Sequence, residues 1–116
     1  MALTPGKVNF KLKQGSTWDP VVTWLPGGVA MDLTGWTARM QLRPAPQGTP
    51  VYNVTCNIPT PLTGQIYLVL EANETDLIPE GHYKYDLELV HPRIAQTDEV
   101  RCILEGSITV KANITI

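Results

Sequence analysis

Apolar and polar residues alternate with a period of two over much of the chain, the signature of strands that bury one face. The first run sets Val8, Phe10 and Leu12 against Lys7, Asn9, Lys11 and Lys13. Gln14-Gly15-Ser16 interrupts it, and a second run over 18–25 puts Trp18, Val22 and Trp24 on one side. Pro20 cannot donate a ladder hydrogen bond, so this strand is expected at an edge or with a bulge. Residues 36–43 carry the cleanest two-faced pattern, Trp36, Ala38, Met40 and Leu42 against Thr37, Arg39, Gln41 and Arg43. A strand over 51–58 would share Tyr52, Val54, Cys56 and Ile58 on one face, and one over 65–70 would turn Ile66, Leu68 and Leu70 inward. Residues 82–90 align Tyr83, Tyr85, Leu87 and Leu89, and residues 100–110 align Val100, Cys102, Leu104, Gly106, Ile108 and Val110.

Turn residues separate these runs. Pro26-Gly27-Gly28 reverses the chain, and in Asp32-Leu33-Thr34-Gly35 the Asp and Thr side chains can bond nearby amides while Gly35 takes a positive φ. Loops fall at 44–50, 59–64 and 91–98, the last joining a hairpin. Asn73 is a candidate helix cap, but Pro79 and Gly81 stop the segment after a single turn. Gly106 is expected to mark a bulge or bend. Strands about 10 residues apart predict an all-β, immunoglobulin-like antiparallel β-sandwich of about seven to eight strands with at most one short helical turn.

Composition agrees with that picture. A length of 116 residues suits a single domain spanning 1–116, with 1–6 and 111–116 as contact arms. The apolar share of 43% and charged share of 17% give a core to bury and too little charge for a disordered chain. A net charge of -2 with no Lys/Arg run points away from nucleic acid and from anionic membranes as partners. The N-terminus has no apolar leader pattern, so the chain is expected to be made and kept in the cytoplasm, or to leave it by lysis or assembly. Cys56 and Cys102 are too few for a disulfide scaffold and are read as buried reduced thiols. The Asn-x-Thr sequons at Asn53, Asn73 and Asn113 are read as ordinary strand and turn residues.

The search for chemistry returns bland readings. Nucleophilic catalysis needs a base packed beside its nucleophile, and the two histidines, His82 before a strand and His91 in a loop, are expected on the surface. Asp86 and Glu88 share a strand face and could form an acid/base pair, but alternating charge on an outer face is the common solvated arrangement. No His/Cys/carboxylate spacing suggests a metal, and no glycine pattern suggests a nucleotide, so no cofactor is expected. Trp18, Trp24 and Trp36 could stack sugars, but their parity with apolar neighbours favours the core. Tyr83 and Tyr85, after Pro79-Glu80-Gly81, suit a corner in which a phenol bonds back to the turn. An enzyme is therefore not expected.

Phe10, Gln14-Gly15-Ser16-Thr17-Trp18 and the run from Met31 to Arg43 resemble a domain of tailed-phage virion proteins, the N-terminal domain of baseplate upper proteins. The likeness continues through Gly64, Ile66 and Leu68, through Ile78-Pro79, Gly81, Tyr83 and Tyr85-Asp86-Leu87-Glu88-Leu89, and through Leu104, Gly106 and Ile108-Thr109-Val110. The resemblance implies an immunoglobulin-like sandwich in the virion, acting in the tail or baseplate through contacts with other phage structural proteins, as a homo-oligomer within a symmetric assembly. It brings no catalytic or cofactor residues. The end at Ile116, just beyond the domain, leads to the expectation of a stand-alone sandwich, for which a capsid decoration (cement) protein is the alternative within the same class. A carbohydrate-binding module for host glycans is the alternative from another class. The contact residues expected are the exposed row Arg39, Gln41 and Arg43 together with Ala2, Leu3 and Thr4 at one end and Asn113 and Ile114 at the other.

Overall fold

The computed structural model describes residues 6–44, 52–93 and 95–114. The strands are β1 (Gly6–Lys7), β2 (Phe10–Lys13), β3 (Val21–Thr23), β4 (Thr37–Pro44), β5 (Tyr52–Asn57), β6 (Gln65–Val69), β7 (Gly81–His91) and β8 (Glu99–Lys111). Between β6 and β7 lies one helical turn, α1 (Ala72–Thr75). Among the described residues the chain is mostly strand, with that turn and two short 3-10 turns beside it, as the alternation predicts.

The strands hydrogen-bond in the order β1-β8-β7-β4-β5-β6-β3, and β2 also pairs with β8. They form one curled sheet rather than two separate layers, because β5 belongs to both halves. Its first residues pair with β4 (Leu42 with Tyr52, Met40 with Val54), and Thr55, Cys56 and Asn57 pair with β6. The pairing is antiparallel except at one edge, where β1 and β2 run parallel to β8. The expectation of a purely antiparallel sheet is corrected there: the first and last strands lie side by side, and the chain between them is long enough for a parallel connection.

Inside the curl, Leu42, Ile66, Leu68, Leu87, Leu89, Ile108 and Val110 are buried with Leu33, Leu70 and Ile78. These are the inward positions of a period of two, and their burial drives the fold. The turn at 32–35 is built as expected, with the Asp32 carboxylate accepting from the Thr34 amide (3.0 Å) and hydroxyl (2.6 Å). Those two donors hold the Asp32 carboxyl below its ordinary pKa, the hydroxyl contributing most. In α1 the cap is Glu71, whose amide donates to Glu74 Oε1 at 2.9 Å; Asn73 lies inside the turn. A carboxylate three residues on closes the cap better than the Asn could from its place.

β8 departs from its sequence pattern. Leu87 pairs with Leu104 but Glu88 pairs with Cys102, so Ile103 is one extra residue in β8. The bulge reverses the parity beyond it: Cys102 and Val100 fall on the side of Glu88 and Val90, not with Leu104, and Ile103 packs against the core. The bulge thus sits at Ile103, and Gly106 has another task. The first strand is interrupted at Val8 and Asn9, where the Val8 carbonyl lies directly over Gly106 in the space a Cβ would fill. Val8 is consequently 40% exposed rather than aligned with Leu12. The Tyr85 hydroxyl donates to the Val8 carbonyl at 2.7 Å, and Asn9 Oδ1 accepts from the Ser107 amide (3.1 Å) and hydroxyl (3.0 Å). Side chains thereby replace the ladder bonds lost in the interruption.

The Tyr83 hydroxyl donates to the Pro79 carbonyl at 2.7 Å, the corner suggested by the sequence. Tyr83→Phe is expected to lower stability by about 1 kcal/mol, the usual net value of one such bond. A urea midpoint that falls by that free energy divided by the slope, at unchanged slope, would check it.

Candidate protein-contact face

Because Ala38, Met40 and Leu42 point into the core, Arg39, Gln41 and Arg43 stand on the opposite face of β4. β7 lies beside them in fixed register, placing Glu88 opposite Arg39, Asp86 opposite Gln41 and Lys84 opposite Arg43. On the other side β5 sets Asn53 opposite Gln41. These side chains line a half-open cavity of about 820 Å³.

The face is cross-linked by its own polar groups. Arg39 Nε donates to Glu88 Oε1 at 2.8 Å, Gln41 Nε2 to Asn53 Oδ1 at 2.8 Å, and Arg43 Nη2 to Gln41 Oε1 at 3.0 Å. The exposed ion pair is worth at most about 1 kcal/mol, so its main effect is to orient the guanidinium. Asp86 sits less comfortably, with Glu105 opposite it on β8. Burial raises its carboxyl pKa above the ordinary value, Glu88 and Glu105 add to the rise, and Arg43 and Arg39 oppose it. A raised carboxyl favours the protonated form in the fold, so ionised Asp86 subtracts stability as pH climbs through its folded value, and the loss vanishes below the unfolded value. Asp86→Asn should therefore be more stable than the natural chain at pH 7, by up to about 1 kcal/mol for relieving one cross-strand like-charge pair, with the difference closing toward pH 3. Thermal midpoints of the two proteins between those pH values would measure it.

The other sequence candidates are dispersed. Ala2, Leu3 and Thr4 lie outside the described residues. Asn113 and Ile114 follow β8; the Asn113 amide lies over the Gly15 turn, and Ile114 is 82% exposed. Neither joins the β4–β7 face. Asp86 and Glu88 do share that face, but Glu88 is engaged by Arg39. His82 and His91 stand at opposite ends of β7, about 30 Å apart by strand rise. His82 is exposed with its Nδ1 3.1 Å from the Thr109 hydroxyl. His91 is the last residue of β7 rather than part of a loop, and is half-buried against the Trp36 ring at 5.0 Å. The expectation of a surface loop is corrected there, because the strand runs on until Pro92 ends it. Among the described residues, no three His, Cys, Asp or Glu side chains converge as a metal would require.

Both cysteines are free and half-buried. Burial pushes the Cys56 thiol up to about 11 and also raises Cys102, to whose rise Asp86 and Glu105 add. Neither is an activated thiolate. Trp18 is buried in the core, whereas Trp24 and Trp36 are half-buried and meet edge to face at 6.0 Å and 79°. Lys84, Asn53 and Glu105 also belong to the β4–β7 surroundings, beyond the row Arg39, Gln41 and Arg43. Their outward parity was readable, but the strand pairing that brings them to Arg39 and Arg43 was not.

No family model matches the sequence, and no curated protein matches it. Among solved structures, the fold is similar to an internalin-like protein of Listeria monocytogenes, with 15% identity and a TM-score of 0.45 over 92% of this chain. The chain spans 28% of the length of that protein.

Proposed function

We propose that this chain is a structural module acting through protein–protein contacts, as a tail or baseplate component of a tailed-phage particle. The observation that carries the reading is the β4–β7 face, where Arg39, Gln41 and Arg43 stand on two long paired strands with their orientation held by neighbouring polar groups. Arginines fixed in this way offer planar, multidentate contacts at little further entropic cost, as a protein partner would use. The phage setting comes from the sequence resemblance. Its residues have framework tasks: Gln14 Nε2 donates to the Ile78 carbonyl at 2.8 Å, Asp32 closes a turn, Tyr83 builds the corner, and Gly106 admits the first strand. In this reading the curled sheet is an immunoglobulin-like sandwich whose halves are joined through β5.

The capsid decoration alternative uses the same face against capsid subunits. The glycan alternative is favoured less, since Trp24 and Trp36 meet edge to face and do not offer two coplanar rings. The test is incorporation into gradient-purified particles of a chain carrying Arg39→Glu and Arg43→Glu. The natural chain is expected in the particles and the variant, still folded by circular dichroism, to remain in the unassembled fraction. Equal incorporation of the two would count against the face.

A further inference from the structure

Among the described residues β3 ends the sheet, and the chemistry of this edge is unusual. Along 18–24, which holds β3 and the residues flanking it, the even-numbered residues face β6 and its flanks: Trp18 exchanges two bonds with Leu70, the Pro20 carbonyl accepts from the Leu68 amide at 3.0 Å, and the Trp24 amide donates to the Gly64 carbonyl at 2.8 Å. The backbone groups of Asp19, Val21 and Thr23 therefore point away from the sheet, because alternate residues of a strand present their amides to opposite sides. Proline commonly blunts an edge by removing a donor. Here the missing donor of Pro20 lies on the β6 side, so the outward row keeps its three amides and three carbonyls.

The side chains along this edge are self-complementary. Asp19, Val21 and Thr23 share the outer side, and Val21 is 47% exposed next to its cross-strand neighbour Tyr67. If a second β3 approaches antiparallel about a two-fold axis through Val21, Val21 meets Val21, and each Asp19 carboxylate meets the Thr23 hydroxyl of the other copy. No like charges come together. The opposite edge lacks this property: the first strand is interrupted at Val8 and Asn9 and carries Lys7, Lys11 and Lys13, which would confront their counterparts.

We infer that β3 is the contact through which two copies of this chain pair, extending one curled sheet into the next by antiparallel strand addition. The inference rests on the protein-contact reading above and names a second copy as partner for an edge separate from the β4–β7 face. The test is made on the whole chain in solution. Light scattering should give twice the chain's mass at high concentration, and Val21→Pro, which removes the central outward amide from both copies, should raise the dimer dissociation constant about tenfold or more. In a Cys56→Ser, Cys102→Ser background, Val21→Cys should be joined to itself by a short bismaleimide, since directly opposed Cβ atoms lie about 5 Å apart; Leu77→Cys, exposed elsewhere, should not. The cross-link decides the question even if the proline variant fails to fold. A natural chain that stays monomeric at millimolar concentration, a dimer that persists undiminished in folded Val21→Pro, or a dimer without the 21-to-21 link would overturn the inference. Any of these would leave the β4–β7 face to be judged by its own incorporation test.

Discussion

Gly106→Ala is expected to detach the first strand from β8 and to lower stability by about 3 kcal/mol, from the loss of three or four hydrogen bonds at about 1 kcal/mol each. The added Cβ would occupy the place of the Val8 carbonyl, so Val8 and Asn9 must move away. With them go the bond from the Tyr85 hydroxyl to Val8, the bond from the Val8 amide to the Glu105 carbonyl at 3.0 Å, and the two bonds to Asn9 Oδ1. Tyr85 is 5% exposed, and its hydroxyl would be left buried without its acceptor. Burial, with Cys102 and Glu105 nearby, pushes that phenol up to about 12, so it keeps its proton and donates this hydrogen bond throughout the physiological range. Denaturant unfolding would give the loss in free energy, and hydrogen exchange should show protection falling at Val8 and along β2 before the rest of the sheet. A variant within about 0.5 kcal/mol of the natural chain would mean that the strand accommodates a Cβ without moving.

The same region shows how far the sequence can be read. Alternation located β4 and β7 nearly to the residue, since both are long, regular and buried on one face. It failed where backbone geometry, not side-chain character, decides the outcome. Nothing in Arg101-Cys102-Ile103-Leu104 distinguishes a bulge from a regular strand, so parity alone puts Cys102 and Val100 on the wrong face. Val8 looks like a core residue by parity, and only the close approach to Gly106 explains its exposure. β5 reads as one ordinary strand, yet it changes partner between Val54 and Thr55, which turns two expected layers into one curled sheet. Its pairing depends on residues far away in sequence, which no local pattern encodes. For the contact face, the outward row Arg39, Gln41 and Arg43 was legible from period two, and the outward character of Lys84, Asp86 and Glu88 was legible in the same way. Their mutual register was not.

Trp18→Ala should be the most damaging single core change, with a loss of about 3–5 kcal/mol. Trp18 is buried, forms the bridge to Leu70 that continues the β3–β6 pairing, and meets Phe10 edge to face at 5.3 Å. Phe10 in turn packs on Tyr85 at 5.6 Å, so this ring joins the two halves of the curl. Against a total stability of about 5–15 kcal/mol for a domain, the variant would be partly unfolded near 37 °C. Trp18→Phe should recover much of the loss, because aromatic packing on Phe10 is kept. Urea denaturation followed by far-ultraviolet circular dichroism would compare the three proteins; a loss under about 1 kcal/mol for the alanine variant would show that the two halves hold together without this ring.

The proposed meeting of the β4–β7 face with another protein can be probed at the face itself. A photo-crosslinking residue in place of Arg39, carried by a chain that still enters purified particles, tests it directly. Irradiation is expected to yield a discrete adduct with another structural protein of the particle, identified by mass spectrometry. An Arg39 position that gives no protein adduct, while the same group placed elsewhere on the chain does, would contradict the account.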